Sequence, residues 1–169
     1  ERNRMTLEDR IQRLEDDRAI RDLKARYLRA CDLKLPDEVR DTLHPGKAII
    51  DFEGFPPFDN RDDFVAVYAE MGCAPGIFDM HHAANGVIDF QGDCSAWGKW
   101  SLSFHNINLA NRTLTQMGVE YQDTYVKENG RWWIAETKSR RTSALVHNVD
   151  KDGVSKVISM GELTGAFGE

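Results

Sequence analysis

A chain of 169 residues, 41% hydrophobic and 30% charged, has the balance of one globular domain. A net charge of −6 excludes the broad basic surface that nucleic acid or an anionic membrane demands. No apolar run approaches the ~18 residues of a membrane span, and three scattered cysteines (Cys31, Cys73, Cys94) make no disulfide framework, which predicts a reducing, cytoplasmic setting.

The N-terminal "ERNRMTLEDR" is charged and lacks an apolar core, so no signal peptide is expected there. Residues 6 to about 31 read as one long helix. Thr6, Glu8 and Asp9 open it, and Leu7, Ile11, Leu14, Ile20, Leu23 and Tyr27 form an apolar stripe. A short second helix follows Pro36 in "PDEVRDTL" and ends at His44 and Pro45. "KAIIDFEG" reads as a strand and "FPPFDN" as a turn-rich connection. "RDDFVAVYAEMG" predicts a third helix, with Phe64, Val67, Tyr68 and Met71 on one face. From Ile77 the pattern alternates with period two. Strands are predicted at about 77–90, 94–109, 113–128 and 131–142, and Asn129-Gly130 is the sharpest hairpin signal among them. Residues 143–169 lose the period and read as an arm or tail at a subunit interface.

Three helices followed by an antiparallel meander predict an α+β fold. A strongly curved antiparallel or mixed sheet, with the helices packed across it as a cone, would enclose a pocket.

Several residues could carry chemistry in such a pocket. Asp32 ends the first helix, where its bland reading is a solvated residue paired with Lys34. Its sharper reading is a carboxylate that turns inward to orient a histidine. Tyr27 lies on the apolar stripe and needs a partner for its hydroxyl, unless it is plain core. Positions 27 and 32 are about 140° apart on an ideal helix, so the helix is expected to stop by residue 31. In "FDMHHAANGVIDF" the even positions are the more apolar, and pattern alone turns His82 inward and His81 outward. On the strand over 94–109, Trp100, Leu102, Phe104 and Asn106 share a face that resembles a pocket wall, with His105 on the other. Tyr121 and Asp123 alternate inward on the next strand. Arg140 and Arg141 cannot both face solvent, and one of them could supply a fixed positive charge. No histidine pair has zinc-binding spacing, and no metal is expected.

The segments "AIRDLKARYLRACDLK", "MHHAANGVIDF", "AWGKWSL" and "KENGRWWIAET" resemble the SnoaL-like branch of the nuclear-transport-factor-2-like superfamily. The likeness covers roughly residues 7–142, read as a single domain. It is closest to the group containing scytalone dehydratase, bile-acid 7α-dehydratase and hexachlorocyclohexane dehydrochlorinase. The resemblance implies a cone-shaped, cofactor-free lyase that works as a homo-oligomer, a trimer ahead of a dimer. It puts His81 in the place of the catalytic base, with Asn85 four residues on, which reverses the choice made by pattern. It makes Asp32 the partner of His81, Tyr27 a proton or hydrogen-bond donor, and Arg141 the fixed charge, with Arg140 a close rival. Trp100, Leu102, Phe104, Asn106 and Tyr121 would line the substrate site. His105 or Asn106 falls where scytalone dehydratase-like enzymes carry a second histidine, and strand parity favours Asn106 inward. Phe104 replaces an acidic group of the bile-acid enzymes.

The implied reaction is β-elimination on an apolar polycyclic, polyketide-like or steroid-like molecule. One alternative is a ketosteroid-isomerase-like enzyme, for which Asp123 is the one candidate carboxylate. Another is a natural or engineered binder of a hydrophobic small molecule. A third is an assembly subunit like the small subunit of ring-hydroxylating oxygenases.

Overall fold

The computed structural model describes residues 5–161. Thr6 opens the first helix, α1 (Leu7–Asp32), through a reciprocal capping box. Its hydroxyl accepts the Asp9 N–H, and the Asp9 carboxylate accepts the Thr6 N–H. At 1.5 Å per residue the helix is about 39 Å long, more than the core beneath it can cover. Its buried residues begin only at Asp16, and Leu7, Ile11 and Leu14 of the predicted stripe stay exposed. The helix does not stop at residue 31; Asp32 is its last member.

Proline starts α2 (Pro36–Thr42), and Asn60 caps α3 (Arg61–Val67) by accepting the Asp63 N–H. The chain then widens into a single π turn over Tyr68–Gly72. Gly72 is required there, because a Cβ would stand 2.7 Å from the Tyr68 ring. Between α2 and α3 runs β1 (Ile49–Phe52).

The remaining strands are β2 (Ile77–Phe90), β3 (Ser95–Asn108), β4 (Thr113–Glu128), β5 (Arg131–Val149) and β6 (Ser155–Gly161). The sheet order is β1-β5-β4-β3-β2, with β6 paired to the far half of β5. All neighbours are antiparallel except β1 and β5, so the sheet is mixed and the fold α+β. The Asn129-Gly130 turn joins β4 to β5 with both residues in the left-handed region, as a type I′ hairpin requires. One boundary differs from the sequence reading. β5 does not end at residue 142 but runs to Val149, and β6 returns along it. The first part of the expected arm therefore belongs to the sheet, held by ladder bonds that need no side-chain period. The rest of it, residues 162–169, lies outside the described residues.

Bulges bend the sheet around α1. In β5, Thr142 is extra opposite Gly118 and Val119, and Ala135 is extra opposite Thr124 and Tyr125. The core lies between α1 and the concave face, where Ile20, Tyr27, Val39, Leu43, Ile50, Tyr125 and Ile134 are all but sealed from solvent.

The bulge in β2 decides which histidine is inside. Ala84 pairs with Ser101 and Val87 with Lys99, so Asn85 and Gly86 together oppose Trp100. Asn85 takes φ +51°. Before the bulge, Asp79, His81 and Ala83 face the interior while Phe78 and His82 are exposed. After it, Gly86, Ile88 and Phe90 face in. The even positions look more apolar because they combine outward Phe78 and Met80 before the bulge with inward Ile88 and Phe90 after it, where the interior face has changed parity. Gly86 has no substitute: a Cβ would lie 2.3 Å from the Trp100 ring, and the Gly86 carbonyl accepts from Arg21 at 3.1 Å.

Candidate active site

His81 and Asp32 meet across 49 residues of chain. The ring Nδ1 lies 2.6 Å from Asp32 Oδ1, and both Asp32 oxygens accept the His81 backbone N–H at 3.1 Å. A carboxylate against Nδ1 favours the tautomer with the proton on that atom, which leaves Nε2 as the basic nitrogen. The ring is fixed from one side by Phe104, with centroids 4.7 Å apart. Asp32 sits at the negative end of the α1 dipole, a cost that these three contacts offset.

His81 forms part of the wall of a cavity of about 450 Å³ between the concave sheet and the helices, within the size range of small-molecule sites. Phe64, Val67, Tyr68 and Met71, the predicted face of the third helix, close it from above. Ile50, Phe52, Phe58, Leu102, Phe104, Met117 and Val119 make most of the rest apolar. Tyr27 and Cys31, one helical turn apart, reach in from α1, and Tyr121 from β4. Asp32, offset from that face, does not line the cavity and acts on it only through His81.

Tyrosines at and beneath the cavity are held neutral. Burial raises the pKa of Tyr27, Tyr121 and Tyr125 well above 10.0, and pushes the Cys31 thiol, bonded to Tyr27, up to about 12. A group whose folded pKa is raised adds stability below its ordinary pKa and loses it as pH climbs beyond. Lys24, lowered by its complete burial, works in the opposite sense, but four groups oppose it. Resistance to urea is therefore expected to fall as pH rises above 9–10, with phenolate absorbance appearing only on unfolding. Titration of all four tyrosines near pH 10 in the folded chain would contradict this.

Arg141 also lines the cavity, at the bulge in β5. Its backbone N–H donates to Glu53 Oε2 at 2.7 Å, and its guanidinium Nε lies 3.6 Å from the same oxygen. Arg140 points away and pairs with Asp51 at 2.7 Å. Of the two arginines, Arg141 is the one at the cavity.

Two expected substrate contacts stand back from it. Trp100 lies beneath the lining, packed on Gly86, and donates its indole N–H to Tyr125 at 3.1 Å. Asn106 faces in, as parity predicts, but its amide donates to Asp79 at 2.6 Å rather than meeting the cavity. His105 is on the other face, opposite Met80 and Gln116.

Asp79, Glu53 and Tyr68 also line the cavity, beyond the site residues expected from the sequence. Asp79 shares its strand parity with His81, which was a usable signal. Glu53 sits just past β1, and nothing local marks it. Tyr68 donates its hydroxyl to the Cys31 carbonyl at 2.7 Å, tying the π turn to α1. Asp123 does turn inward, but it pairs with Lys24 at 2.8 Å below the cavity floor. Among the described residues, no three His, Cys, Asp or Glu side chains gather as a metal-binding set, and no helix is long and apolar enough to cross a membrane.

A curved mixed sheet that wraps helices around an apolar cavity, with a histidine in its wall paired to an aspartate behind it, defines a small α+β domain built around an internal cavity. The chain belongs to the SnoaL-like domain family, whose signature it matches over residues 12–138. Among solved structures it is similar to a putative scytalone dehydratase from Novosphingobium aromaticivorans. That match has 21% identity and a TM-score of 0.72 over 79% of this chain and 88% of the other. It is also similar to a hexachlorocyclohexane dehydrochlorinase from Novosphingobium barchaimii, with 13% identity and a TM-score of 0.70 over 92% and 99%. A putative dehydratase from Streptomyces avermitilis matches with 9% identity and a TM-score of 0.63 over 74% and 95%. At these identities the likeness is one of fold.

Proposed function

We propose that the protein is a cofactor-independent lyase of the dehydratase type, acting on an apolar polycyclic, polyketide-like or steroid-like molecule. The observation that carries this reading is His81 in the wall of an apolar cavity, hydrogen-bonded to Asp32 behind it. His81 Nε2 takes a proton from a carbon next to a carbonyl, and Asp32 stabilises the imidazolium that forms. The electron pair of the broken C–H bond becomes a C=C bond as the β substituent leaves with its own pair. Tyr27, kept protonated by burial, donates to the carbonyl or to the departing hydroxyl. Arg141, oriented by Glu53, faces charge that develops in the cavity. Placed donors of this kind contribute about 3–4 kcal/mol each in other enzymes.

Isomerisation is the weaker reading, because Asp123 is engaged by Lys24 and does not line the cavity. The proposal includes a homo-oligomer, trimer ahead of dimer. The outward face of the sheet supports it, with Phe78, Val87, Trp97 and Ile107 exposed.

The test is incubation with cyclic β-hydroxy ketones, followed by mass and absorbance. The expected product is lighter by one water, carries a conjugated enone, and forms at the same rate with a chelator and without added nucleotide. A product of unchanged mass would favour the isomerase, and ligand binding with no product would leave only a binder.

A further inference from the structure

The end of α1 holds β2 twice. Asp32 clamps His81, and two residues on, Lys34 pairs with Asp79, two residues before His81. Lys34 makes this contact from a left-handed backbone, φ +59°, in the position after a helix that glycine usually fills. The turn is closed by the Leu35 N–H on the Ala30 carbonyl. A non-glycine residue in that conformation is strained, and such strain gathers at functional sites.

Asp79 lines the cavity on the same face as His81, about 7 Å along the strand. Asn106 donates to its Oδ1 and Lys34 to its Oδ2. An ionised carboxylate has about four lone-pair directions, so two remain after these bonds. Lys34 compensates the charge, which makes a carboxylate tolerable against an apolar wall. What this assembly offers a ligand is an acceptor with no proton of its own. The cavity's other carboxylate, Glu53, accepts from the Arg141 backbone N–H, and the Tyr68 hydroxyl donates to the Cys31 carbonyl.

We propose that Asp79, held by Lys34 and Asn106, is a specificity-determining residue that accepts a hydrogen bond from a hydroxyl on the molecule in the cavity. The ligand class is then a hydroxylated ring compound, with its O–H about two strand residues from the atom that His81 reaches. This rests on the cavity being the ligand site, as read above. The competing account is that Asp79 merely ties β2 to α1.

Binding of 2-naphthol and 2-methoxynaphthalene separates the two accounts, because the probes share a ring system and differ in the donor O–H. Calorimetry with the full chain at neutral pH is expected to show naphthol bound about tenfold or more tightly, the worth of a hydrogen bond to a charged acceptor. Asp79→Leu should erase the preference while leaving 2-methoxynaphthalene affinity nearly unchanged. Asp79→Asn, which keeps size and a weaker neutral acceptor, should reduce the preference if the leucine variant fails to fold. Equal affinities in the parent, or an unchanged preference in the variants, overturns the proposal. So does an equal loss of both probes in the variants, the result of a tether alone. Failure of both probes to bind the parent removes the cavity reading along with it.

Discussion

Replacing His81 with glutamine is expected to lower turnover by about 10²–10⁴-fold on any substrate the protein converts, the usual contribution of a placed general base. The loss should fall on kcat, since the ring sits at the edge of a cavity whose apolar lining is untouched. Asp32→Asn should cost a similar factor for a different reason. The amide still accepts the His81 backbone N–H, so β2 stays docked, but it no longer stabilises an imidazolium at Nδ1. Asp32→Ala, by contrast, also strands that N–H and should lower stability by about 1–3 kcal/mol. Steady-state rates and urea midpoints on the three variants separate these effects. Full turnover by the His81→Gln protein would remove the proposed mechanism.

Lys24→Met is expected to destabilise the fold by about 3–5 kcal/mol, the cost of breaking a buried ion pair from one side. Lys24 is 1% exposed and Asp123 is 3% exposed. The ammonium lies 2.8 Å from Asp123 Oδ2 and 3.8 Å from the centre of the Tyr121 ring. Tyr125 donates to the same carboxylate oxygen at 2.7 Å and receives the Trp100 indole N–H. Oδ1 has no hydrogen-bond partner among the described residues, so the pair has little to spare when one member is lost. The double variant Lys24→Met with Asp123→Asn removes both charges and keeps an acceptor for Tyr125. It should recover most of the loss. Urea unfolding of the two single variants and the double completes the cycle. If the two single losses simply add, the pair is not coupled as the geometry requires.

Trp100 shows why a residue can be read correctly and still be misassigned. Its parity places it inward, and it is inward, yet Gly86 brings the neighbouring strand so close that its ring is sealed below the cavity. Asn106 is the same in kind: right face, but spent on Asp79. A strand pattern reports the face a side chain takes, not the depth of what covers it.

The chain's own order of residues determined the segregation of helices and strands, the Thr6 cap, the Asn129-Gly130 hairpin and the inward set of β3. Each follows from contacts within a few residues, where period and turn chemistry act. The end of β5 escaped that reading, since ladder pairing with β4 and β6 carries the strand past the point where alternation fades. Alternation alone turned His82 inward and the family resemblance chose His81; the physical reason for that choice lies in the tertiary structure. An extra residue in β2 changes parity at Asn85, and only pairing with β3 reveals it. The same holds for Arg141 over Arg140 and for the Lys34–Asp79–Asn106 cluster, where charges find partners across tens of residues once the sheet has curved around α1.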